Sequence, residues 1–171
     1  MRKKIIAGNW KMNKTHREGM AVLMQFFKML DLESSLIEDT GKEFPEIIVA
    51  PPYLIIGDAA LLSQGCDVKI AAQNCSSEKE GAFTGEISAS MLKAVKANYV
   101  ILGHSERRTY YHETNQTVAK KIDRALENDL SVICCIGETL QEREAAKEFQ
   151  IITRQIEECL FHLSNEQIKK S

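Results

Sequence analysis

Short apolar runs alternate with longer segments of mixed polarity along most of the chain. Five runs are too short for helices, partly β-branched, and apolar at nearly every position: residues 5–7, 47–50, 68–72, 99–102 and 131–136. Near-continuous apolar runs of this length are typical of strands buried on both faces of a parallel sheet. The pattern therefore predicts five parallel strands.

The segments between the runs have the period of amphipathic helices. Thr15 with Glu18, and Thr139 with Glu142, have the capping-box spacing, in which two side chains close a helix N-terminus. Apolar residues follow at helical spacing in three segments: Met20, Leu23, Met24 and Phe27; Val118, Ile122, Ala125 and Leu126; Phe149, Ile152, Ile156 and Cys159. These stripes predict three helices, each with one buried face.

Strand and helix alternate five times, which predicts parallel βα units with right-handed crossovers. Residues 54–63 and 88–97 are predicted to be shorter helices, and the polar residues 31–43 a helix extension followed by a loop. Because no linker or low-complexity tract interrupts the chain, we expect a single domain over 1–171, with residues 165–171 where a sixth unit would start. The pattern leaves an open doubly wound sheet and a closed eight-stranded barrel undecided.

Composition, charge and the length of the apolar runs argue against several classes of protein. The chain has 171 residues, 44% of them hydrophobic, which is enough for one sizeable core. Its 22 basic and 24 acidic residues are nearly balanced, so nucleic-acid and membrane-surface binding are not indicated. No apolar run approaches the ~20 residues of a membrane span, and the basic residues 2–4 precede too short an apolar stretch for a secretory signal. We expect a cytoplasmic protein.

The five cysteines lack metal or redox spacing. Cys134 and Cys135 are adjacent, and neighbours on a strand point to opposite faces, so both joining one zinc site is not expected. We predict reduced, mostly buried thiols and no metal.

Polar residues follow four of the five runs, at the edge where parallel α/β folds bind ligands. Lys11 is a candidate anion ligand, although taken alone it fits a solvated loop lysine better. His104 opens a predicted short helix, whose positive end disfavours imidazolium and leaves a neutral hydrogen-bond donor; the alternative is a structural histidine. Glu106 is either an acid/base group or an ion partner, and its position favours the ion partner. Together these residues suit a phosphorylated carbonyl compound.

Five motifs resemble those of triose-phosphate isomerases, in the same order and at similar intervals from residue 4 to about residue 160. They are AGNWKMN at 7–13, AQN at 72–74, GAFTGE at 81–86, ILGHSERR at 101–108 and CIGE at 135–138. The resemblance implies a TIM (β/α)8 barrel, of which this chain holds the first five βα units. It also implies an enzyme of glycolysis and gluconeogenesis that interconverts dihydroxyacetone phosphate and glyceraldehyde 3-phosphate through an enediolate, without metal or cofactor.

The same resemblance implies a role for each site residue. Asn9 and Lys11 match the substrate-binding pair, with Lys11 offsetting the charge of the phosphate and of the enediolate. His104 matches the electrophile that polarises the carbonyl, and a neutral histidine at a helix N-terminus is itself a known property of this family. Glu106 matches an acid that positions the lysine and assists proton movement.

A homodimer is implied in the same way. The loop 75–86 matches the family's dimerisation loop, whose tip enters a pocket of the partner, and taken alone it would be an ordinary long exposed loop. Thr84, which lies between Phe83 and Gly85, matches the residue that reaches across to the partner subunit. Arg107 and Glu113 are expected in salt bridges near that interface.

The family's base glutamate, lid loop and phosphate-binding loops have no counterpart in the 171 residues. We therefore expect no useful isomerase activity from this chain alone, and exposed edges on strands one and five. Two alternative functions are a non-catalytic fragment that associates through those edges, and an open-sheet nucleotide binder. The nucleotide binder ranks last because the chain has neither G-x-G-x-x-G nor a P-loop.

Overall fold

The computed structural model describes residues 4–38 and 44–169. The strands within them are β1 Ile5–Asn9, β2 Glu46–Ala50, β3 Val68–Ala72, β4 Tyr99–Leu102 and β5 Ser131–Cys134. The helices are α1 His16–Glu38, α2 Tyr53–Leu62, α3 Ala89–Ala94, α4 Ser105–Tyr110, α5 Asn115–Glu127, α6 Leu140–Glu144, α7 Glu148–Leu160 and α8 Asn165–Lys169. The five predicted βα alternations are confirmed.

The chain divides into two compact units. The first is Met1–Gln73 with Ala94–Tyr99, and the second is Asn74–Lys93 with Val100–Ser171. The expected single domain over 1–171 stays a prediction.

In the first unit, β1, β2 and β3 lie side by side in that order. Their pairing is parallel, with Ile6 opposite Ile47 and Val49 opposite Ile70. Every residue of β2 is buried, as its unbroken apolar run predicts. The prediction is wrong for β1, where Ile5 is 52% and Ile6 60% exposed. An apolar run indicates that its side chains would be more stable when buried. They are buried only where another segment packs over them, and the backbone hydrogen bonds between β1 and β2 do not cover the β1 side chains.

In the second unit, β4 from residue 100 onward lies beside β5, and the Cys135 N–H donates to the Leu102 carbonyl at 2.8 Å. The α5 stripe is confirmed, because Val118, Ile122 and Ala125 are all fully buried. This apolar face packs on β5 and on α7 and forms the centre of the unit.

Both predicted capping boxes form. The Thr15 N–H donates to Glu18 Oε2 at 2.9 Å, and the Glu18 N–H donates back to Thr15 Oγ1 at 3.5 Å. The Thr139 and Glu142 bonds are 2.7 and 3.3 Å. Each pair satisfies two backbone donors that a helix start would otherwise leave without a partner.

Two helical predictions are wrong in part. The segment after Thr139 is two helices, because Ala146 adopts a left-handed φ of 53° between α6 and α7. Within α7, Phe149 of the predicted stripe is 79% exposed, whereas Cys159 of the same stripe is buried together with Gln155. Met24 of the α1 stripe is also 57% exposed.

The shorter predicted helices are present with altered bounds. Residues 88–97 shorten to α3, after which Lys96 takes a left-handed φ of 66°. The predicted extension of the first helix is confirmed as far as Glu38, and 39–43 lie outside the described residues. Residues 165–169, where a sixth unit was expected to start, form the short helix α8. In the part of the chain that the structure describes, no helix is long and apolar enough to cross a membrane.

All five cysteines are free thiols. The prediction that most are buried is wrong, because only Cys75 and Cys159 are buried and Cys66 is exposed. The apolar run 131–136 correctly predicted that Cys134 lies on β5 and Cys135 directly after it. Both residues are nevertheless partly accessible to solvent.

Candidate active site

Two backbone contacts hold Lys11 in the first unit. Asn9 ends β1, and its Oδ1 accepts a hydrogen bond from the Lys11 N–H at 2.9 Å. Gln73 follows β3, and its Nε2 donates to the Lys11 carbonyl at 3.0 Å and to the Ala50 carbonyl at 2.9 Å. The carboxyl ends of β1, β2 and β3 therefore fix the main chain of Lys11 from both sides.

The backbone of Lys11 is itself strained. Its φ is 54°, in the left-handed region that disfavours residues with a Cβ by about 1–2 kcal/mol. Strain of this kind persists where neighbouring contacts over-determine the conformation, and it is concentrated at functional sites. The Asn9 and Gln73 bonds are such contacts, so the fold sets the direction in which the Cα–Cβ bond of the exposed Lys11 leaves the backbone.

His104 occupies the N-cap of α4 in the second unit. Its Nδ1 accepts a hydrogen bond from the Glu106 N–H at 3.2 Å. A neutral imidazole that accepts at Nδ1 carries its proton on Nε2, so Nε2 is the free donor of the ring. The Glu106 carboxylate lies 3.4 Å from the same Nδ1.

Arg108 braces the segment that carries His104, and sequence reasoning gave it no role. Its guanidinium donates to the Gly103 carbonyl at 2.8 Å, to Asn115 Oδ1 at 2.6 Å and to the Cys135 carbonyl at 3.4 Å. One side chain thus ties the residue before His104 to α5 and to the end of β5. The only signal in the sequence was an arginine at the close of the ILGHSERR motif.

Gln155 was also missed, and it orders the loop after β5. Its side-chain amide donates to the Gly137 carbonyl at 2.9 Å and accepts from the Gly137 N–H at 2.8 Å. A cavity of about 560 Å³ opens beside this pair, lined by residues that include His104, Arg108 and Thr139. A glutamine on the buried stripe of a helix was the sequence signal, since a buried amide needs polar partners.

The loop 75–86 is compact and exposed at its tip. The Ser76 N–H donates to the Ile87 carbonyl at 2.8 Å and closes its base. Gly81 and Gly85 have φ values of 130° and 92°, which residues with a side chain rarely adopt. Phe83 is 47% exposed and Thr84 is exposed, so the residues predicted to meet a partner face outward.

Arg107 and Glu113 form the predicted salt bridge, and Lys121 joins it. Arg107 Nε and Lys121 Nζ each lie 2.5 Å from Glu113 Oε1, and Lys121 Nζ also donates to Asn74 Oδ1 at 2.9 Å. Burial by itself would raise the pKa of Glu113, but the hydrogen bonds and charges of Lys121 and Arg107 outweigh it and lower the pKa below its ordinary value. Glu113 is therefore held as a carboxylate in this polar cluster of Asn74, Arg107, Glu113 and Lys121.

The sequence profile of the triosephosphate isomerase family matches residues 4–171. The chain belongs to this family. Membership, together with the five βα units, confirms the (β/α)8 barrel family as the fold class and the first five units as the part present here.

Three triosephosphate isomerases illustrate the similarity. That of Porphyromonas gingivalis strain ATCC 33277 is 43% identical over 171 residues, which cover 99% of this chain and 64% of the relative. Those of Chlorobium phaeobacteroides and Cytophaga hutchinsonii are 47% and 46% identical, over 94% and 99% of this chain and 61% and 64% of theirs. The chain thus spans less than two thirds of the length of these triosephosphate isomerases.

Replacing Gly103 with alanine should disturb the segment before His104. Gly103 has a φ of 71°, and a Cβ there would lie 2.9 Å from Arg108 Nη2, 3.2 Å from the Cys135 carbonyl and 3.3 Å from Val118 Cγ1. Backbone strain of about 1 kcal/mol adds to crowding of about 1–3 kcal/mol. We expect Gly103→Ala to lower the free energy of unfolding by roughly 2–4 kcal/mol, as measured by urea titration.

Gly65→Ala is the matched control. Gly65 has a φ of 88°, and among the described residues nothing lies within 4 Å of an added Cβ, so only backbone strain applies. Equal losses for the two variants would show that Gly103 is not crowded.

Proposed function

We propose that these residues form the amino-terminal part of an isomerase that interconverts dihydroxyacetone phosphate and glyceraldehyde 3-phosphate. The observation that carries the proposal is the hydrogen bond that His104 Nδ1 accepts at the N-cap of α4. Its Nδ1 is occupied by the Glu106 N–H, so a neutral ring presents a proton on Nε2. A donor of that kind stabilises the oxygen of a carbonyl as it becomes an enediolate oxygen.

Lys11 and Asn9 supply the second part of the proposal. An ammonium group whose backbone is fixed by Asn9 and Gln73 can offset the charge of a phosphate and of an enediolate. Glu106 assists proton movement in this scheme, as the family resemblance implies. We assign the base that takes the proton from carbon to a part of the protein outside these residues, so the isolated chain is proposed to be inactive.

The proposal extends to the assembly and setting of the protein. The exposed Phe83 and Thr84 at the tip of the loop 75–86 support a homodimer in which Gly85, Arg107 and Glu113 lie at or near the interface. Residues 1–171 are proposed to act within one domain, without metal or cofactor, in the cytoplasm, in glycolysis and gluconeogenesis. A triose phosphate is the proposed substrate.

A second candidate function is association without catalysis. Ile5 and Ile6 of β1 are more than half exposed, and an uncovered apolar strand invites pairing with another chain. Concentration-dependent association that survives Phe83→Asp but is lost on Ile6→Lys would favour β1 over the loop as the contact, and would count against the proposed dimer.

The isomerase proposal is tested with a joined protein. Residues 1–171 are joined to the C-terminal part of the Porphyromonas gingivalis relative that the match leaves uncovered, and isomerisation is followed in both directions. We expect a turnover number of at least ~1 s⁻¹ for the joined protein and well below this for residues 1–171 alone. Sedimentation velocity on the same samples measures the oligomeric state.

Circular dichroism of the joined protein separates misfolding from lack of function. A folded, cooperatively melting protein without isomerase activity would refute the proposed function. Turnover above ~1 s⁻¹ by residues 1–171 alone would refute the assignment of the base to another part of the protein.

A further inference from the structure

His104 is tied to a short helix that apolar packing does not hold. The helix α4 spans only Ser105–Tyr110 and buries none of its residues. The imidazole is bound to this helix through Nδ1, which accepts from the Glu106 N–H at 3.2 Å, so the ring moves with α4. The position of the ring within the second unit therefore depends on the polar contacts that α4 makes with its surroundings.

Arg108 holds both peptide groups that flank His104. Its guanidinium Nε donates to the Gly103 carbonyl, in the peptide before His104, at 2.8 Å. Its own backbone N–H donates to the His104 carbonyl, in the peptide after it, at 3.1 Å, beside the Arg107 N–H at 2.9 Å. Because peptide groups are planar, the two that flank a residue determine the direction of its Cα–Cβ bond. One residue thus controls the direction in which the imidazole leaves the backbone.

The far end of the Arg108 guanidinium is anchored outside α4. Its Nη1 donates to Asn115 Oδ1 of α5 at 2.6 Å, and its Nη2 donates to the Cys135 carbonyl, directly after β5, at 3.4 Å. Asn115 is fixed in turn, because its Nδ2 donates to Glu158 Oε2 of α7 at 2.8 Å. A guanidinium presents several donors in a rigid planar fork, whereas the ammonium of lysine is a single point of contact. Lysine at this position would not hold acceptors in three separate segments together.

We propose that Arg108 is a positioning residue, which holds the His104 imidazole where its Nε2 donor meets the substrate carbonyl. The inference rests on the proposed function, in which His104 stabilises the enediolate oxygen. A displacement of about 1 Å in a catalytic group costs about 10²-fold in rate. Loss of the guanidinium fork is therefore expected to lower the rate even though Arg108 itself does not contact the substrate.

Hydrogen exchange tests the geometry without a measurement of activity. The amides of residues 107 and 108, which both donate to the His104 carbonyl, report on this segment, and those of Ile122 and Ala125 report on α5. In the full chain, Arg108→Lys is expected to lower the protection of the first pair by at least about 10-fold more than that of the second. Unchanged relative protection would overturn the proposal.

Arg124→Lys is the matched control for hydrogen exchange. Arg124 is also partly buried, and its Nε also donates to a backbone carbonyl, that of Ser77, at 3.2 Å. This variant should leave the relative protection at residues 107 and 108 unchanged, and a loss equal to that in Arg108→Lys would overturn the proposal. Should Arg108→Lys fail to fold, Asn115→Ala removes the acceptor of Nη1 and is expected to lower the same protection.

Kinetics of the joined protein test the consequence for catalysis. Arg108→Lys is expected to lower the turnover number by about 10–10²-fold with KM nearly unchanged, because the proposed phosphate ligand Lys11 takes no part in these contacts. In the His104→Ala background the same change should lower turnover by less than about threefold, since a residue that acts through His104 has no imidazole left to position. A residue with a merely structural role would lower turnover equally in both backgrounds.

The outcomes separate this proposal from the proposed function. Normal turnover in Arg108→Lys, or an equal loss with and without His104, would overturn the positioning role. A folded joined protein without activity would refute the proposed function instead, and the hydrogen exchange of residues 107 and 108 would then decide whether Arg108 positions His104.

Discussion

Replacing His104 with alanine in the joined protein is expected to lower the turnover number by about 10²–10³-fold. The reason is the loss of a donor that is aimed before the substrate arrives. The Glu106 N–H fixes the ring through Nδ1, so Nε2 needs no reorganisation to meet the developing charge. His104→Gln keeps a side-chain N–H and should recover part of the loss, because the amide can donate but is not held by the same backbone bond.

Lys11→Ala is expected to be as severe, with a different kinetic signature. An ammonium that binds the phosphate contributes to substrate and transition state alike, so this variant should raise KM as well as lower turnover. Rates are measured in both directions of the isomerisation, with circular dichroism to show that each variant is folded.

Matched controls separate these effects from general damage. Lys28→Ala removes an exposed lysine from α1, and His162→Asn removes an exposed histidine of the second unit. Both should leave turnover near that of the parent protein. Near-normal rates in His104→Ala or Lys11→Ala would refute the site assignment.

Lys121→Met is expected to lower the free energy of unfolding by about 3–5 kcal/mol, the largest loss of stability that we predict. Lys121 and Glu113 have side chains only 6% and 4% exposed, and their charges lie 2.5 Å apart. Methionine fills a similar volume but leaves Glu113 buried with Arg107 as its remaining cation. Burying a carboxylate costs desolvation free energy, which the ion pair with Lys121 offsets. When Lys121 is removed, that cost is no longer offset, so the loss of stability exceeds the net contribution of the ion pair.

Lys120→Met is the control, since Lys120 is the exposed neighbour on the same helix and should change stability by less than about 0.5 kcal/mol. The double change Glu113→Leu with Lys121→Met removes both buried charges and is expected to lose less than Lys121→Met alone. Urea unfolding at neutral pH measures all three, and a double variant less stable than the single one would contradict the electrostatic explanation.

The pH dependence of stability follows from the same group. The folded state lowers the pKa of Glu113 below its ordinary value of 4.5. A lowered carboxyl pKa contributes stability that is complete above the unfolded value and is lost as the pH falls through the folded one. The loss of stability below pH 4.5 should therefore be less steep in the double variant than in the parent chain.

Local rules predicted the elements well because those elements depend on neighbours in sequence. Both capping boxes join residues three positions apart, and each forms as the spacing predicts. The five strands follow from runs of apolar residues in the same way. The stripe through Phe149 is confirmed at Cys159, which is buried, and wrong at Phe149, which is 79% exposed in the first turn of α7. Helical spacing determines which residues share a face but not which part of that face a neighbouring segment covers.

The site residues also fall into those that local sequence predicted and those that it did not. His104 at a helix N-cap, Lys11 after β1 and the family itself were all predictable from the order and spacing of motifs. Arg108, Gln155 and Lys121 were not, because each acts through partners far along the chain, such as Gly137, which lies 18 positions from Gln155.

The sequence by itself thus determined the alternation of strands and helices, the family, and the residues that carry the proposed chemistry. Only the tertiary structure decided how they are held: the left-handed backbone of Lys11, the hydrogen bond to His104 Nδ1, and the buried ion pair of Lys121 with Glu113. The physical reason is that a buried polar group must find its partner in space, and the partner is chosen by packing rather than by sequence distance.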